Sequence, residues 1–281
     1  VYGFYKVFFN GDFFGSTFLP LSYLPKWILI STPEFYIPLF LIGILFYLKR
    51  IFLRVFNLKE VSSGNDLWNG VNDKVDLFIF LSLFQIITIY LTLDMNLIKG
   101  WTHFIFLNFF LTYYASICVY IFYLKFRLQK KILIVGSLIL SLFSLELIYQ
   151  LYVFHPYQSI YFNSFVRSND KRLYENDYHS LSRVEGIKDI ITDSNKQKKI
   201  VIATASWTPL EDALSLIPIK DRNRLVFSGT ANKEKADYIF TNYFYEVDVR
   251  FNKKYSIPSN FYLFKTLNID GIKIYSIYKK S

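Results

Sequence analysis

Three histidines are the imidazole groups that the sequence offers for acid–base chemistry or metal binding: His103, His155 and His179. They are far apart in sequence, so none forms the His-x-x-x-His pair that binds zinc on one face of a helix. One cysteine, Cys118, makes neither an internal disulfide nor a thiolate cluster. The sequence also lacks a phosphate-binding glycine loop and a Gly-x-Ser-x-Gly turn. The residue types therefore predict no metal site and give little support to soluble-type catalysis, and they leave dependence on a divalent metal open.

The stretch HPYQSIYFN, residues 155–163, follows an apolar run and precedes a charged one. His155, Tyr157, Tyr161 and Asn163 are the side chains in it that could position a substrate. Its proline ends a helix, and its Tyr and Phe residues suit the aromatic belt at a membrane interface. Asn163 can satisfy backbone groups at a turn. Residue types alone favour a joint at which the chain leaves the membrane over a catalytic role for His155.

Polar side chains stand in or beside apolar runs at two further places. Glu146 lies about two turns before the end of such a run, and an ionisable residue in a membrane helix is a functional candidate. A structural carboxylate, bonded to a Tyr or Ser of a neighbouring helix, is the favoured alternative. Trp101 and His103 belong to NLIKGWTHFIFL. They could form a polar wall that faces a lipid-linked substrate, or they could simply anchor a helix at the headgroups.

The composition that surrounds these residues is that of a membrane protein. Of the 281 residues, 53% are hydrophobic and 20% aromatic, and 19% are charged, against about a quarter in globular domains. A soluble domain of this length has no interior large enough for 30 Phe and 23 Tyr. The net charge of +10 suits cytoplasmic anchoring. Nucleic-acid binding is not predicted, because no basic block is suitably interleaved with stacking aromatics.

Four apolar runs are long enough to cross a bilayer as helices. The first reaches this length only if it includes Lys and Arg residues near its end, whose long side chains can extend to the interface. The four runs cover about residues 35–56, 75–93, 101–124 and 132–154. The segments 49–74 and 125–131 are rich in Lys and Arg, so the positive-inside rule predicts that both are cytoplasmic. Four crossings then leave both ends of the chain outside the cytoplasm. The predicted fold class is a polytopic α-helical membrane protein that continues into a small extracytoplasmic α/β domain.

Three parts of the chain follow from this reading. Residues 1–34 are predicted to be an extracytoplasmic loop with a short interfacial helix, residues 35–154 the transmembrane region, and residues 155–281 the α/β domain. Since the chain begins with Val1 and shows no signal peptide, we expect it to be the carboxy-terminal part of a longer polypeptide.

The predicted α/β domain contains recognisable helix and strand patterns. An amphipathic helix is predicted in SLSRVEGIKDIITDS, and a second helix in TPLEDALSLIP with Thr208 as its N-cap. Strands are predicted in KKIVIATA, RLVFSG and ADYIFTNY. The final segment is predicted to form a hairpin with Asp270 and Gly271 in its turn.

Several of these stretches, in this order, resemble bacterial membrane glycosyltransferases of the protein-mannosyltransferase-like and aminoarabinose-transferase-like group, which have the GT-C architecture. SYLPKWILISTPEF is similar to the family's entry into a spanning helix, and LIKGWTHFIFL to its Gly-Trp-Arg-His stretch. HPYQSIYFN is the most specific match, at a helix exit. ENDYHSLSRVEGIKDII matches the family's Asp-Tyr-Trp-x-x-Ser stretch at Asp177 and Tyr178. The resemblance covers nearly the whole chain.

The resemblance implies an enzyme that moves a sugar from a polyprenyl-phosphate carrier to a glycan, lipid or protein acceptor, on the outer face of the bacterial plasma (inner) membrane. It implies no cofactor beyond the lipid-linked donor, which is a substrate. It also implies a catalytic acid in an early extracytoplasmic loop outside these residues, so that this segment alone would be inactive. The candidates for substrate binding or positioning are Trp101, His103, Glu146, His155, Tyr157, Tyr161, Asn163 and Asp177.

Two departures from the family pattern bear on activity. Thr102 stands where the family has an arginine that could pair with a carrier phosphate, and His179 stands in place of a tryptophan. The alternative function is a non-catalytic membrane protein whose outer α/β domain binds a glycan or an assembly partner. A transporter would need several charges within the membrane, and among the predicted helices only Glu146 qualifies.

Overall fold

The computed structural model describes residues 5–55, 71–167, 169–194 and 199–281. The chain begins with a hairpin of two short strands, β1 (Lys6–Phe9) and β2 (Asp12–Gly15). The sequence prediction missed this hairpin, although its Asn10-Gly11 turn between aromatic strands is a strong hairpin signal. Both turn residues have positive φ, 55° and 88°, as that turn requires. A short helix, α1 (Tyr23–Ser31), follows where an interfacial helix was predicted.

Four helices long and apolar enough to cross a membrane come next. They are α2 (Tyr36–Val55), α3 (Val71–Thr92), α4 (Leu107–Phe126) and α5 (Lys130–Val153). The predicted bounds of three of them agree with the structure to within about four residues.

The predicted start of α4 at Trp101 is wrong. Lys99 and Gly100 adopt left-handed backbone angles, with φ of 61° and 62°, and a single 3₁₀ turn covers Thr102–Phe104. The α-helix begins only at Leu107. Apolar composition could not locate this boundary, because the aromatic side chains of the turn are as apolar as those of the helix. His103 therefore lies on the 3₁₀ turn, where it is exposed.

Helices α2 and α4 form the closest pair, and Gly43 marks their contact. A Cβ atom at this position would overlap the backbone carbonyl oxygen of Tyr114 on α4. Small residues let helix backbones approach in this way, which is how membrane helices gain packing energy without a hydrophobic drive.

An ion pair joins three of the helices. Arg50 of α2 donates to Asp76 of α3 at 3.1 Å, and the hydroxyl of Tyr113 on α4 donates to the other oxygen of Asp76. Asp76 is therefore a second carboxylate within the spanning helices, which corrects the expectation that Glu146 alone qualifies. Because its charge is matched within the helix bundle, this carboxylate needs no substrate ion as a partner.

Helix α5 packs only loosely against the other three. It buries none of its residues, although Gly136 lies beside the ring of Phe122 on α4 and Phe143 stacks on Phe35 with centroids 5.1 Å apart. Glu146 lies on this exposed helix. Apolar side chains left exposed over most of a helix are typical of a membrane span, which is also what the composition of α5 predicts.

The carboxy-terminal part is an α/β unit with a five-stranded sheet in the order β4-β3-β5-β7-β6. Strands β3, β4 and β5 are parallel, while β5, β7 and β6 are antiparallel. The helix α6 packs on this sheet, and its Gly186 approaches the ring of Phe240 so closely that a Cβ would collide with it. In chain order the elements are α6 (Ser182–Asp193), β3 (Ile200–Thr204), α7 (Ile219–Arg222), β4 (Leu225–Gly229), β5 (Tyr238–Thr241), β6 (Phe261–Ile269) and β7 (Ile272–Lys280).

Most of the element predictions for this part are confirmed. The helix and three strands lie where the patterns predicted them, and the final hairpin turns at Asp270 and Gly271 with φ of 48° and 76°. The predicted cap at Thr208 is wrong. A 3₁₀ helix covers Glu211–Leu216, and the hydroxyl of Thr208 instead donates to Asn242 at 2.7 Å. A buried side-chain acceptor outcompetes the backbone for this hydroxyl.

Substitution of Gly43 tests the contact between α2 and α4. Gly43→Ala must push two helix backbones apart, so we expect a loss of about 1–3 kcal/mol of stability, seen as a lower unfolding temperature in detergent. Gly136→Ala on α5 is the matched control. Its Cβ would meet only the ring of Phe122, at 2.9 Å, and that side chain can turn aside. Equal unfolding temperatures for the two variants would contradict this packing.

Candidate functional site

The exit stretch 155–163 fixes the end of α1. The side-chain amide of Asn163 donates to the carbonyl oxygens of Leu29 and Thr32, at 2.6 and 2.7 Å, and the backbone N–H of Asn163 donates to Ile30 at 2.9 Å. The last carbonyl groups of a helix have no partner within the helix, and Asn163 supplies one. Asn163 is buried, so its role here is to hold α1.

A cleft of about 380 Å³ opens beside this joint, and we call it the first cleft. The end of α1, the segment before α4, the 3₁₀ turn Gln158–Ile160 and the turn at Tyr178 and His179 form its walls. The polar lining groups are hydroxyls, amides and an imidazole. They include Thr32, Thr102, Asn108, Gln158, Tyr161 and His179. None of the described residues that line it is Asp, Glu, Lys or Arg.

Two of the predicted site residues, Trp101 and Tyr161, line the first cleft. Trp101 is buried, with 7% of its surface exposed. The hydroxyl of Tyr161 donates to Glu34 at 3.4 Å, and the N–H of Ser164 donates to the same carboxylate. Burial acts to raise the pKa of Glu34, but these donors outweigh it and hold that pKa below its usual value.

The other six predicted residues do not line the first cleft; they are Asn163, described above, and His103, Glu146, His155, Tyr157 and Asp177. His155 is exposed, and its Nδ1 lies 3.0 Å from Nε2 of the lining residue Gln158. Tyr157 is buried and donates to Glu185 of α6. Glu146 lies near enough to act electrostatically on Tyr161, after burial and Glu34, in raising the pKa of that tyrosine. His103, exposed on its 3₁₀ turn, also does not line this cleft.

Asp177 holds the turn that presents Tyr178 and His179. Its buried carboxylate accepts hydrogen bonds from the N–H of Leu181 at 2.8 Å, from Ser182 at the start of α6, and from the amide of Asn242 at 2.9 Å. Burial raises the pKa of Asp177, against the lowering effect of these donors. Asp177 and Ser180 have φ of 41° and 56°, so both ends of the turn are left-handed; within it Tyr178 is buried and His179 is exposed. Asp177 therefore positions the site without touching the cleft.

A second cleft of about 330 Å³ adjoins the first, and Tyr178 and His179 line both. Its other walls come from the α/β unit and from Lys99. The polar lining groups are those of Lys99, His179, Ser180, Arg183, Trp207 and Asp212. Arg183 pairs with Asp212 at 3.1 Å. Unlike the first cleft, the second contains charges of both signs.

Glu175 is a buried carboxyl group that sequence reasoning missed. It is 6% exposed, Oε1 accepts from the N–H of Phe8 at 3.2 Å, and Oε2 has no hydrogen-bond partner among the described residues. Burial raises the pKa of Glu175 to about 8, although Phe8 and Lys99 act to lower it. The only sequence signal was its place in ENDYH, next to the predicted Asp177.

The described residues hold no group of three His, Cys, Asp or Glu side chains that could bind a metal ion. No protein-family model, curated protein or solved structure matches the chain. A neutral cleft lined by hydroxyls, amides and aromatic rings binds polar, uncharged groups such as sugar hydroxyls, and it offers no carboxylate as a general base.

The buried Glu175 makes stability depend on pH. The pKa of Glu175 is about 8 in the folded chain, against 4.5 for an exposed glutamate. The carboxyl group therefore stays protonated to a higher pH in the folded chain than in the unfolded chain. Stability is therefore full below pH 4.5 and falls as pH rises through 8, by at most roughly 1.4 kcal/mol per pH unit.

We expect Glu175→Gln to remove this fall, because glutamine stays neutral. Unfolding temperatures in detergent, measured from pH 5 to 9, check it. Glu234→Gln, at an exposed carboxylate, should keep the slope of the wild type. A wild-type protein whose stability is flat over this range would show that Glu175 is not held protonated.

Proposed function

We propose that the chain is part of a membrane glycosyltransferase that moves a sugar from a polyprenyl-phosphate carrier to an acceptor on the extracytoplasmic face of a bacterial plasma membrane. The observation that carries the proposal is the first cleft. It lies beside the start of the apolar helix α4 and the first turns after α5, where the chain passes into the α/β unit, and its polar lining groups are uncharged. A lipid-linked sugar has the same division between an apolar chain and a hydroxyl-rich head.

The lining of the first cleft supports a substrate of this kind. Pro33 and Ile105 give it apolar wall on the side of the spanning helices, while Asn108 and Gln158 offer amide groups for sugar hydroxyls. The amide of Asn108 makes no hydrogen bond with any described residue, so its donors and acceptor are open to a ligand.

The orientation of the cleft follows from the loops. The basic segment 125–131 joins α4 to α5, at the opposite end of α5 from the α/β unit, and the basic segment 49–74 joins α2 to α3 in sequence. If the positive-inside rule holds for them, the first cleft and the α/β unit lie outside the cytoplasm. A lipid-linked donor used on that face must first be moved to the outer leaflet with its sugar attached.

The transfer itself needs a base and a leaving group. The acceptor hydroxyl gives its proton to a general base as its oxygen bonds to the anomeric carbon, and the carrier phosphate leaves with the electron pair of the broken bond. In this proposal the base comes from an early extracytoplasmic loop outside these 281 residues, as the family resemblance implies. The residues of the first cleft bind and orient the donor.

The test is transfer of radiolabelled sugar from polyprenyl-phosphate donors in membranes that contain the intact polypeptide. We expect Asn108→Ala to lower transfer by about tenfold, the effect of one net hydrogen bond of roughly 1–1.5 kcal/mol. Asn96→Ala is the matched control, since Asn96 is also exposed but lines neither cleft. Folded protein that transfers no sugar from any such donor would overturn the proposal in favour of a non-catalytic glycan-binding or assembly role.

A further inference from the structure

The second cleft differs from the first because it is lined by charged side chains, some of whose hydrogen-bond donors have no acceptor. Two cations and one carboxylate line it. Arg183 is satisfied, because it donates both to Asp212 and to the carbonyl oxygen of Pro209. The ammonium group of Lys99 makes no hydrogen bond or ion pair with any described residue. Three ammonium donors and one net positive charge are therefore available in this cleft.

Lys99 is not a freely moving surface lysine. It is half-buried, and its backbone is fixed in the left-handed region beside Gly100. The hydroxyl of Thr102 donates to the carbonyl oxygen of Lys99 at 2.5 Å. The hydroxyl of Tyr23 donates to the carbonyl oxygen of Gly100 at 3.0 Å. A lysine whose backbone is held on both sides loses less entropy when it binds a ligand.

Two more polar groups of the second cleft lack partners. The ring nitrogens of His179 make no hydrogen bond with the described residues, and burial and Lys99 lower the pKa of this histidine. Trp207 is held between the rings of Tyr5 and Phe244, with centroids 4.8 and 5.6 Å away. Its indole N–H also makes no hydrogen bond in the described part of the chain. Unused donors thus predominate over unused acceptors in this cleft.

We propose that the second cleft is an oxyanion subsite, in which Lys99, His179 and Trp207 bind a phosphate or carboxylate group. Hydrogen-bond donors that have no acceptor in the protein favour a ligand with acceptor oxygens, and a cation without a partner favours a ligand with negative charge. The assignment of this group to the acceptor rests on the proposed function, because the second cleft borders the first at Tyr178 and His179. The acceptor would then be an anionic molecule.

Glu175 interacts electrostatically with Lys99, so its protonation state affects the charge of the second cleft. The charge of Lys99 acts on this buried carboxyl group. The hydroxyl groups of Tyr23 and Tyr178 also interact electrostatically with Glu175. Burial raises the pKa of both tyrosines, so they stay neutral. With its own pKa at about 8, Glu175 is protonated at pH 7 and leaves Lys99 uncompensated. Above pH 8 the ionised carboxylate competes with a bound anion.

Binding to the purified intact polypeptide in detergent tests the subsite, with glucose 6-phosphate as probe and glucose as the neutral control ligand. We expect Lys99→Gln to weaken glucose 6-phosphate binding about tenfold or more, the usual effect of a lost charge-assisted hydrogen bond. Trp207→Phe, which keeps the ring and removes the N–H, should weaken it several-fold. Lys273→Gln, at an exposed lysine of β7 without a hydrogen bond, should leave it unchanged.

A second arm separates a soluble anion from a lipid headgroup. Nanodiscs of phosphatidylglycerol should compete with glucose 6-phosphate, and those of phosphatidylcholine should not, if the cleft takes a headgroup from the bilayer. Equal probe binding in both would assign the subsite to a soluble anion. The subsite is overturned if glucose 6-phosphate binds no better than glucose and phosphatidylglycerol has no effect that depends on Lys99.

The pH dependence of probe binding gives an independent check. A phosphate monoester keeps its full charge above pH 7, since its second pKa is about 6. Binding to the wild type should weaken from pH 7 to 9, and Glu175→Gln should remove that change. Sugar transfer is measured in parallel. Transfer without anion binding would reject the subsite alone, whereas anion binding without transfer would reject the proposed function and keep the subsite.

Discussion

The carboxylate of Asp177 joins the segments that frame both clefts. Its oxygens accept hydrogen bonds from Leu181 and Ser182 at the start of α6 and from Asn242 after β5, and it lies buried among them. Loss of this acceptor would leave a buried amide and the first N–H groups of a helix without partners, which costs more than the hydrogen bonds themselves contribute. The position of His179 between the two clefts therefore depends on one side chain that touches neither.

The place of the clefts reflects the change of surroundings along the chain. Apolar helices can leave their outer faces bare in lipid, but the backbone groups at their ends need partners. At this junction the protein supplies the partners itself: Asn163 completes the end of α1, and Glu34 accepts from Ser164. Polar side chains thus gather where the helices end, and the space between them becomes a polar cleft beside an apolar bundle.

Local patterns in the sequence predicted the four long helices, the strands and the final hairpin, because each pattern is confined to the element it describes. The start of α4 was wrong, since the left-handed backbone at Lys99 leaves no trace in hydropathy. Trp101 and Tyr161 of the predicted site line the first cleft. Glu175 could not be predicted as a buried acid, because its partner Phe8 lies 167 positions away in sequence. Burial of that kind exists only in the tertiary structure.

The two clefts differ in charge, so they suit different ligand groups. Thr102 places a hydroxyl where the family resemblance implies an arginine, and the described lining of the first cleft carries no formal charge. Among the described residues that line the two clefts, the cation without a hydrogen-bond or ion-pair partner is Lys99, three positions earlier, on the wall of the second cleft. A donor in the first cleft would be held by neutral hydrogen bonds and apolar contact, which favour the sugar and the lipid chain over the phosphate. Selection by charge would then fall to the second cleft, where the ammonium group of Lys99 has no partner among the described residues.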